Sequence, residues 1–305
     1  MSQKVLVNQE IRLKEYINEK DYKEINDLYE ICSNNDKVNL KLELDYKLNM
    51  FKNSEIGLNN INEFLYYADD TLVGYLGVSC FGGNAAEING MTHPKWRRKG
   101  IFKKLFEIAA DDCVKRKFQK ILLLSDGKSN SGGDFIKAIG GKYDFSEYRM
   151  RRVSNTSTER IDSIRLRKAV ESDGKEIGKQ NSLYFNDTVE NEANEEVADI
   201  FNESAYLVEL EGNIIGKINI EYSEDYAFIC GFGILPDFRG KGYGKAALKE
   251  ALHLINEKNV HTVELDVECK NSTALNLYKD CGFVEKSIMN YYKYKPEKSL
   301  LVDSE

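Results

Sequence analysis

Between Arg239 and Ile255 the apolar positions Ala247, Leu248, Ala251, Leu252 and Ile255 recur at the three- and four-residue spacing that builds one apolar stripe on a helix. The next stretch, HTVELDVE, alternates instead. Val263, Leu265 and Val267 fall between Glu264, Asp266 and Glu268, which predicts a strand with one apolar face. Upstream, AYLVELE and IIGKINIEY flank Glu211-Gly212-Asn213 as the arms of a hairpin. YAFICGFGIL is a third extended run, rich in aromatic and branched residues. SIRLRKAV predicts a first strand, followed by helical segments up to about Ser204. NSTALNLYKDCG predicts a short helix ending at Gly282, and FVEKSIMNYYKY a last strand. The order strand, helices, three strands, helix, strand, helix, strand is an α+β layer arrangement.

The same pattern occurs twice. HPKWRRKGIFKKLF from His93 and LPDFRGKGYGKAAL from Leu235 share a Pro, an aromatic two residues on, then Arg-x-x-Gly opening a helix. Pro94 pairs with Pro236, Trp96 with Phe238, Arg97 with Arg239 and Gly100 with Gly242, all at an offset of 142. The offset holds without a gap back to Gly74 over Gly216 and forward to Gly140 over Gly282. At the first strands, Ile11-Arg12-Leu13 and Ile164-Arg165-Leu166, it is 153, so the first copy carries 11 more residues between its first and second strands. The polar, Ser/Thr-rich VSNTSTERIDS reads as a linker, which divides the chain into copies at 1–152 and 164–305 with the linker at 153–163.

Composition narrows the possible chemistry. Hydrophobic residues make up 42% of the 305 residues and there are only 3 Pro, as in an ordered globular protein. A net charge of −7 argues against a dedicated nucleic-acid binder. The 6 cysteines include no CxxC pair and the 3 histidines form no zinc pattern, so no metal is expected. MSQKVLVNQE lacks the apolar core of a signal peptide, and no apolar run approaches membrane-spanning length. The expectation is a soluble, cytoplasmic protein with reduced thiols and no membrane partner.

Arg239-Gly240-Lys241-Gly242-Tyr243-Gly244 lies between an apolar strand and an amphipathic helix. Glycines there allow a tight turn, and the free N–H groups of a first helical turn suit a pyrophosphate. The nucleotide-binding alternatives fit poorly, because the chain lacks GxxxxGK[ST] and a GxGxxG after the first strand. The segment resembles the GNAT superfamily of acyl-CoA-dependent N-acyltransferases, in which Q/R-x-x-G-x-G/A follows a strand. The resemblance continues through Asn271, Ala274, Tyr278 and Gly282-Phe283, matching N-x-x-A-x-x-x-Y-x-x-x-G-F, and covers roughly Tyr206 to Tyr294. LDVECKNSTALNLYKDCGF looks most like the branch that acetylates the N-terminal amine of ribosomal proteins.

That resemblance implies two tandem domains, each a mixed, mostly antiparallel sheet flanked by helices, and an enzyme moving acetyl from acetyl-CoA to a primary amine. It places Arg239, Gly240, Lys241, Gly242, Tyr243, Gly244 and Lys245 around the pyrophosphate. Main-chain groups of Gly233, Ile234 and Leu235 would align the pantetheine arm and polarise the thioester carbonyl, and Asn271 would contact that arm. Tyr278 matches the family's general acid. Asp266 stands where the resembling branch keeps an acidic residue and is the candidate base; Glu221, Glu268 and a water relay stay open.

The copies are unequal. Ile136 stands opposite Tyr278, Leu124 opposite Asp266 and Ser129 opposite Asn271, while Phe102 replaces Gly244 and adds bulk at the turn. The first copy therefore reads as a degenerate partner domain, although Arg97, Lys99 and Gly100 remain and Glu87 keeps a carboxylate in the strand before Pro94. The acceptor class covers a peptide N-terminus, an amino acid, a polyamine or an aminoglycoside-like compound. The expected assembly is a monomer, the copies forming a pseudo-dimer, or a homodimer. The competing function is a coenzyme A-binding sensor or scaffold without turnover.

Overall fold

The computed structural model describes residues 8–49, 60–81, 84–153, 164–185 and 204–296. The chain divides into two compact units, 1–145 with 289–305, and 146–288. In chain order the first copy holds β1 (Gln9–Lys14), α1 (Glu19–Asp36), α2 (Leu44–Asn49), β2 (Glu63–Ala68) and β3 (Thr71–Ser79). It continues with β4 (Ala85–Thr92), α3 (Ile101–Lys115), β5 (Lys120–Asp126), α4 (Asn130–Ala138) and β6 (Lys142–Arg152). The second copy holds β7 (Ile164–Lys168), α5 (Gly174–Phe185), β8 (Ala205–Leu210), β9 (Asn213–Ser223) and β10 (Tyr226–Ile234). It ends with α6 (Tyr243–Glu257), β11 (Thr262–Glu268), α7 (Ser272–Asp280) and β12 (Phe283–Tyr294). The helical segments expected beyond Phe185 lie outside the described residues up to Ser204.

In unit 1 the strands follow the order β1, β2, β3, β4, β5, antiparallel except for the parallel β4–β5 pair. In unit 2 the order β7, β8, β9, β10, β11 repeats it, with β10–β11 parallel. Both sheets are mixed and mostly antiparallel. The compact units do not share the boundaries of the sequence copies, because the last strand of each copy is divided. Glu147–Arg151 of β6 pair with β11 in unit 2, and Met289–Tyr294 of β12 pair with β5 in unit 1. Side chains at the two ends of β12 explain the division: Phe283 is buried in the unit 2 core, while Tyr291 stacks on Phe145 at 4.3 Å in unit 1. Of the linker expected at 153–163 only Val153 is described, its N–H donating to the Gly282 carbonyl at 3.0 Å; the rest lies outside the described residues.

One helix covers each sheet at the corresponding place. The stripe read on α6 is buried in full, Ala247, Leu248, Ala251, Leu252 and Ile255 all lying in the unit 2 core. Full burial of a Leu or Ile is worth about 1.5–3 kcal/mol, so this stripe anchors the helix whose first turn matters below. Ile101, Leu105, Phe106, Ala109 and Cys113 do the same for α3 in unit 1. On the other face of the unit 1 sheet a charged group is sealed. Lys47 of α2 donates to Glu63 at 2.6 Å and to the Val78 carbonyl at 3.1 Å, while the Tyr75 hydroxyl donates to Glu63 at 2.5 Å. Gly77 makes room for it, since a Cβ there would sit 2.6 Å from the Tyr75 hydroxyl.

The six cysteines are free thiols. Among the described residues no helix is long and apolar enough to cross a membrane, and no cluster of three metal-ligating side chains is found.

Candidate active site

The site in unit 2 begins where two parallel strands part. β10 pairs with β11 from Tyr226–Thr262 to Ile229–Leu265, and β10 then runs on to Ile234 without that partner. Against β9 the register shifts between Cys230 and Gly233, a bulge that includes Gly231 at φ 54°. Bulges re-aim backbone groups beside functional sites. The Gly233 carbonyl lies against Gly216, where a Cβ would come within 2.4 Å of it, so Gly216 is required by close approach.

The Pro236–Phe238 turn then leads into the glycine loop. Gly240 and Gly242 have φ of 73° and 85°, the left-handed region that favours glycine, and open space lies where their Cβ atoms would point. Gly242 is the N-cap of α6, so no side chain caps the first N–H groups of that helix, an arrangement whose chemistry suits an anion. By contrast α1, α4 and α7 are capped by Asn18, Ser129 and Asn271. Gly244 joins the parts: a Cβ there would touch Ile234 at 3.7 Å and Leu277 of α7 at 3.8 Å. Strand end, glycine turn and the helix that bears Tyr278 therefore meet at one place.

Several of the expected side chains have structural partners. Arg239 donates through Nε to the Ile234 carbonyl at 2.7 Å, pinning the loop to the strand end. Arg97 does the same to the Thr92 carbonyl at 3.0 Å, so the repeat preserves this contact. The Leu235 N–H donates to the Ile215 carbonyl at 2.8 Å, and Gly233, two residues before it in the same ladder, faces β9 as well, so Ile234 is the residue whose backbone turns to the side that β11 has left. Lys241 donates to the Asp237 carbonyl at 2.9 Å, and Lys245 pairs with Asp280 at 2.7 Å. Tyr243 is the first helical residue and packs against the core. Asn271 accepts from the Ala274 N–H at 3.1 Å as the N-cap of α7.

Tyr278 sits on the inward side of α7, 8% exposed, its ring edge-on to Phe283. Burial pushes its phenol up to about 12, so it is protonated throughout the neutral range. Asp266 is held differently. Arg149 of β6, paired opposite it, grips both carboxylate oxygens at 2.5 and 3.0 Å and lies over the Phe228 ring at 4.8 Å. Of the other carboxylates, Glu221 accepts from the Cys230 thiol at 3.3 Å, and Glu268 stands at the exposed end of β11 opposite Glu147.

Sequence reasoning missed three neighbours of the site. Tyr184 of α5 lies over Gly233, where a Cβ would meet its ring at 2.4 Å, and burial raises its phenol to about 12. Arg149 comes from the other sequence copy. Lys217, the single cation in the apolar run IIGKINI, is 1% exposed and donates to the Gly231 carbonyl of the bulge at 3.1 Å. Only Lys217 left a trace in the sequence, as a charge at a core position.

Burial pushes the Lys217 ammonium from the ordinary 10.5 down to about 8. Its folded value lies below its unfolded one, so the charged form opposes folding at pH 7, and this cost fades as the pH rises from about 8 toward 10.5. Relative to Lys217→Met, the wild type is expected to gain up to roughly 1.4 kcal/mol per pH unit across that window. Urea unfolding at several pH values measures it; parallel curves for the two chains would contradict it.

Unit 1 repeats the frame with different contents. β4 and β5 pair only to Ile88–Leu123 and then part, and Gly100, at φ 80°, starts α3 without a side-chain cap. A cavity of about 710 Å³ fills the opening, lined by the end of β4, the turn from Trp96 to Lys103, and the first residues of α4. The bulk expected at Phe102 does not close it. That ring turns edge-on to Phe135, centroids 4.9 Å apart, and forms part of the cavity wall. Glu87 lies lower in β4, opposite Ser79, and lines a separate cavity of about 10 Å³.

Comparison with known proteins agrees with this fold. The model of the acetyltransferase (GNAT) family matches residues 23–132 and 175–283, one match in each sequence copy. The uncharacterized N-acetyltransferase YycN of Bacillus subtilis is 34% identical over 83 residues, 26% of this chain and 53% of that protein. The ribosomal protein bS18-alanine N-acetyltransferase of Haemophilus influenzae is 36% identical over 88 residues, 28% of this chain and 60% of that protein. The chain thus spans between half and two thirds of the length of these curated relatives. Among solved structures, a GCN5-related N-acetyltransferase from Sphaerobacter thermophilus superposes with a TM-score of 0.73 at 17% identity, covering 94% of this chain and 95% of that one. A tandem GNAT protein from the clavulanic acid biosynthesis pathway gives a TM-score of 0.68 at 13% identity, covering 95% of this chain and 100% of that one. With family matches in both copies and a tandem relative along nearly the whole length, this chain belongs to the acetyltransferase (GNAT) family, as a tandem of two such domains.

Proposed function

We propose that the second copy, 164–305, transfers an acetyl group from acetyl-CoA to a primary amine, and that the first copy, 1–152, joined to it through 153–163, is a partner domain that has lost the chemistry. The observation that carries this reading is Tyr278, a buried phenol held protonated on the helix that meets the glycine turn and the end of β10. Its counterpart in the first copy is Ile136, which cannot give a proton.

When bound, acetyl-CoA supplies an activated acyl group. The uncapped first turn from Gly242 to Lys245, with Arg239 fixing the loop, fits its pyrophosphate. Ile234, at the end of the bulged strand, would turn its backbone toward the thioester, where an N–H gains strength as charge grows on the carbonyl oxygen. The amine nitrogen attacks the carbonyl carbon, the C–N bond forms and the C–S bond breaks. The leaving sulfur takes its proton from Tyr278, which is reprotonated by solvent. The proton of the substrate ammonium leaves to water. Both oxygens of Asp266 are engaged by Arg149, so Asp266 holds β11 to β6 beside the site and acts as base only where Arg149 lets go.

A Gly242→Arg chain tests the cofactor half of the reading. Its side chain enters the open space before the turn at a backbone position unfavourable to it. At subsaturating acetyl-CoA, thiol release with an amine is expected to fall at least about tenfold, the cost of roughly 1.4 kcal/mol of lost binding. Thiol release at the wild-type rate by a folded Gly242→Arg chain would remove the turn from the reading.

A further inference from the structure

Burying an ammonium in a sheet is costly, and Lys217 is 1% exposed in the middle of β9. Its Nζ donates to the Gly231 carbonyl of the β10 bulge at 3.1 Å. The bulge is shaped around it: a Cβ at Gly231, whose φ is 54°, would come within 3.0 Å of that Nζ and 3.2 Å of the Asn219 side chain. Across the strands Lys217 pairs with Gly233, which the Tyr184 ring covers. Burial lowers the ammonium to about 8, so the charged form still prevails at neutral pH.

The consequence lies at the other end of the same amide. Every described peptide is trans, so the Phe232 N–H points opposite to the Gly231 carbonyl and away from Lys217. N–H groups alternate along a strand, and the Leu235 N–H turns to β9. Phe232 and Ile234 therefore both turn theirs to the side that β11 has left. An ionised donor on the carbonyl makes a bond about twice as strong as a neutral one, and it polarises the amide so that its N–H becomes a better donor.

Unit 1 lacks each part of this arrangement. Tyr75 stands in the place of Lys217 and gives its hydroxyl proton to Glu63. β3 and β4 pair from Gly74–Thr92 to Ser79–Glu87 without a shift, so no bulge forms there. Asn89 stands in the place of Gly231, and the Gly90 N–H, counterpart of the Phe232 N–H, donates to Asn89 Oδ1 at 2.8 Å. In the copy with Ile136 in place of Tyr278, the corresponding N–H is thus taken by its own neighbour.

We propose that Lys217 is a positioning residue for acyl transfer: through the Gly231 carbonyl it fixes the Gly231–Phe232 peptide and strengthens the Phe232 N–H as a donor to the thioester oxygen. The inference rests on the reading given under the proposed function and adds to it a residue that acts from behind the strand. Negative charge grows on the thioester oxygen as the amine attacks, so the contribution falls on the rate more than on binding.

The test is Lys217→Met, which keeps the length of the side chain and removes its donor. The charge it removes opposes folding at neutral pH, so this chain is expected to fold. Affinity for acetyl-CoA should stay within about threefold of the wild type while kcat for amine acetylation falls about 10- to 100-fold, less than the loss of a whole oxyanion donor. The infrared carbonyl stretch of bound acetyl-CoA, isotope-labelled at the thioester carbon, should move to higher frequency. Lys217→Gln, a neutral donor, should fall between the two chains in both readouts. Gly231→Ala displaces the ammonium with its Cβ, should behave as Lys217→Met does, and serves if that chain fails to fold. A kcat within about twofold of the wild type, or an unmoved stretch, would overturn the proposal. So would a loss of rate matched by an equal loss of acetyl-CoA binding, the mark of a merely structural role, or a Lys217→Gln chain equal to the wild type. A wild type that acetylates no amine, yet whose bound thioester stretch rises in Lys217→Met, would leave this inference standing and count against the proposed function alone.

Discussion

Tyr278→Phe is expected to lower amine acetylation at saturating acetyl-CoA by about 100- to 10,000-fold, the usual worth of a positioned general acid. The substitution removes one oxygen and keeps the ring that packs edge-on against Phe283, so the fold and the binding of acetyl-CoA should persist. Burial raises the phenol to about 12, which means that the acid form is present at every pH from neutral to mildly alkaline. Loss of activity through ionisation of Tyr278 is thus confined to pH values near and above its raised value, and a fall in rate below pH 10 has another cause. Stopped-time thiol assays with wild type and Tyr278→Phe, alongside acetyl-CoA titrations, separate rate from binding. A variant within twofold of the wild-type rate would show that the thiolate leaves without help from this residue.

The largest effect on stability is expected at Lys47→Met. Lys47, Glu63 and Tyr75 are 5%, 1% and 0% exposed, so removing the cation strands a carboxylate in the interior of unit 1. Breaking one side of a buried pair costs about 3–5 kcal/mol. Burial already raises Glu63 above the ordinary carboxylate range, against the pull of Lys47. A raised folded value gives stability that is present below the unfolded value and lost as the pH climbs through the folded one. The defect of Lys47→Met should therefore be smaller at pH 5 than at pH 8, and Glu63→Gln in the same chain should recover about half of it. Urea unfolding at both pH values measures this. A defect below about 1 kcal/mol at pH 8, or one that grows on acidification, would show that the cluster is hydrated or differently charged.

The features legible in the sequence are those that local backbone chemistry demands. Gly100 and Gly242 are left-handed helix starts, and the Pro, aromatic and Arg positions before them build the same turn and the same Arg-to-carbonyl contact in both copies. A register carried by such residues survives as an offset of 142, and the helix behind it follows from its 3.6-residue period. Partners distant in the chain left no such mark. The alternation in β12 is the same whether its end pairs within its own copy or, as found, with β5 in unit 1. Asp266 reads as a carboxylate on a polar strand face, and nothing near it in sequence announces an arginine 117 positions away. Tyr184 over Gly233 and the bulge at Gly231 are likewise products of packing between elements. Phe102 shows the converse: its volume is legible in the sequence, but the direction of its ring depends on Phe135 in a helix that follows the next strand.

The central claim is acetyl transfer to an amine, and the direct test is mass spectrometry of the wild-type chain with acetyl-CoA and a panel of peptide N-termini, polyamines, amino acids and aminoglycosides. The account predicts that at least one amine is converted to its N-acetyl form, with one free thiol released for each acetyl group transferred. A chain that binds acetyl-CoA and returns both thioester and every amine unchanged would contradict it.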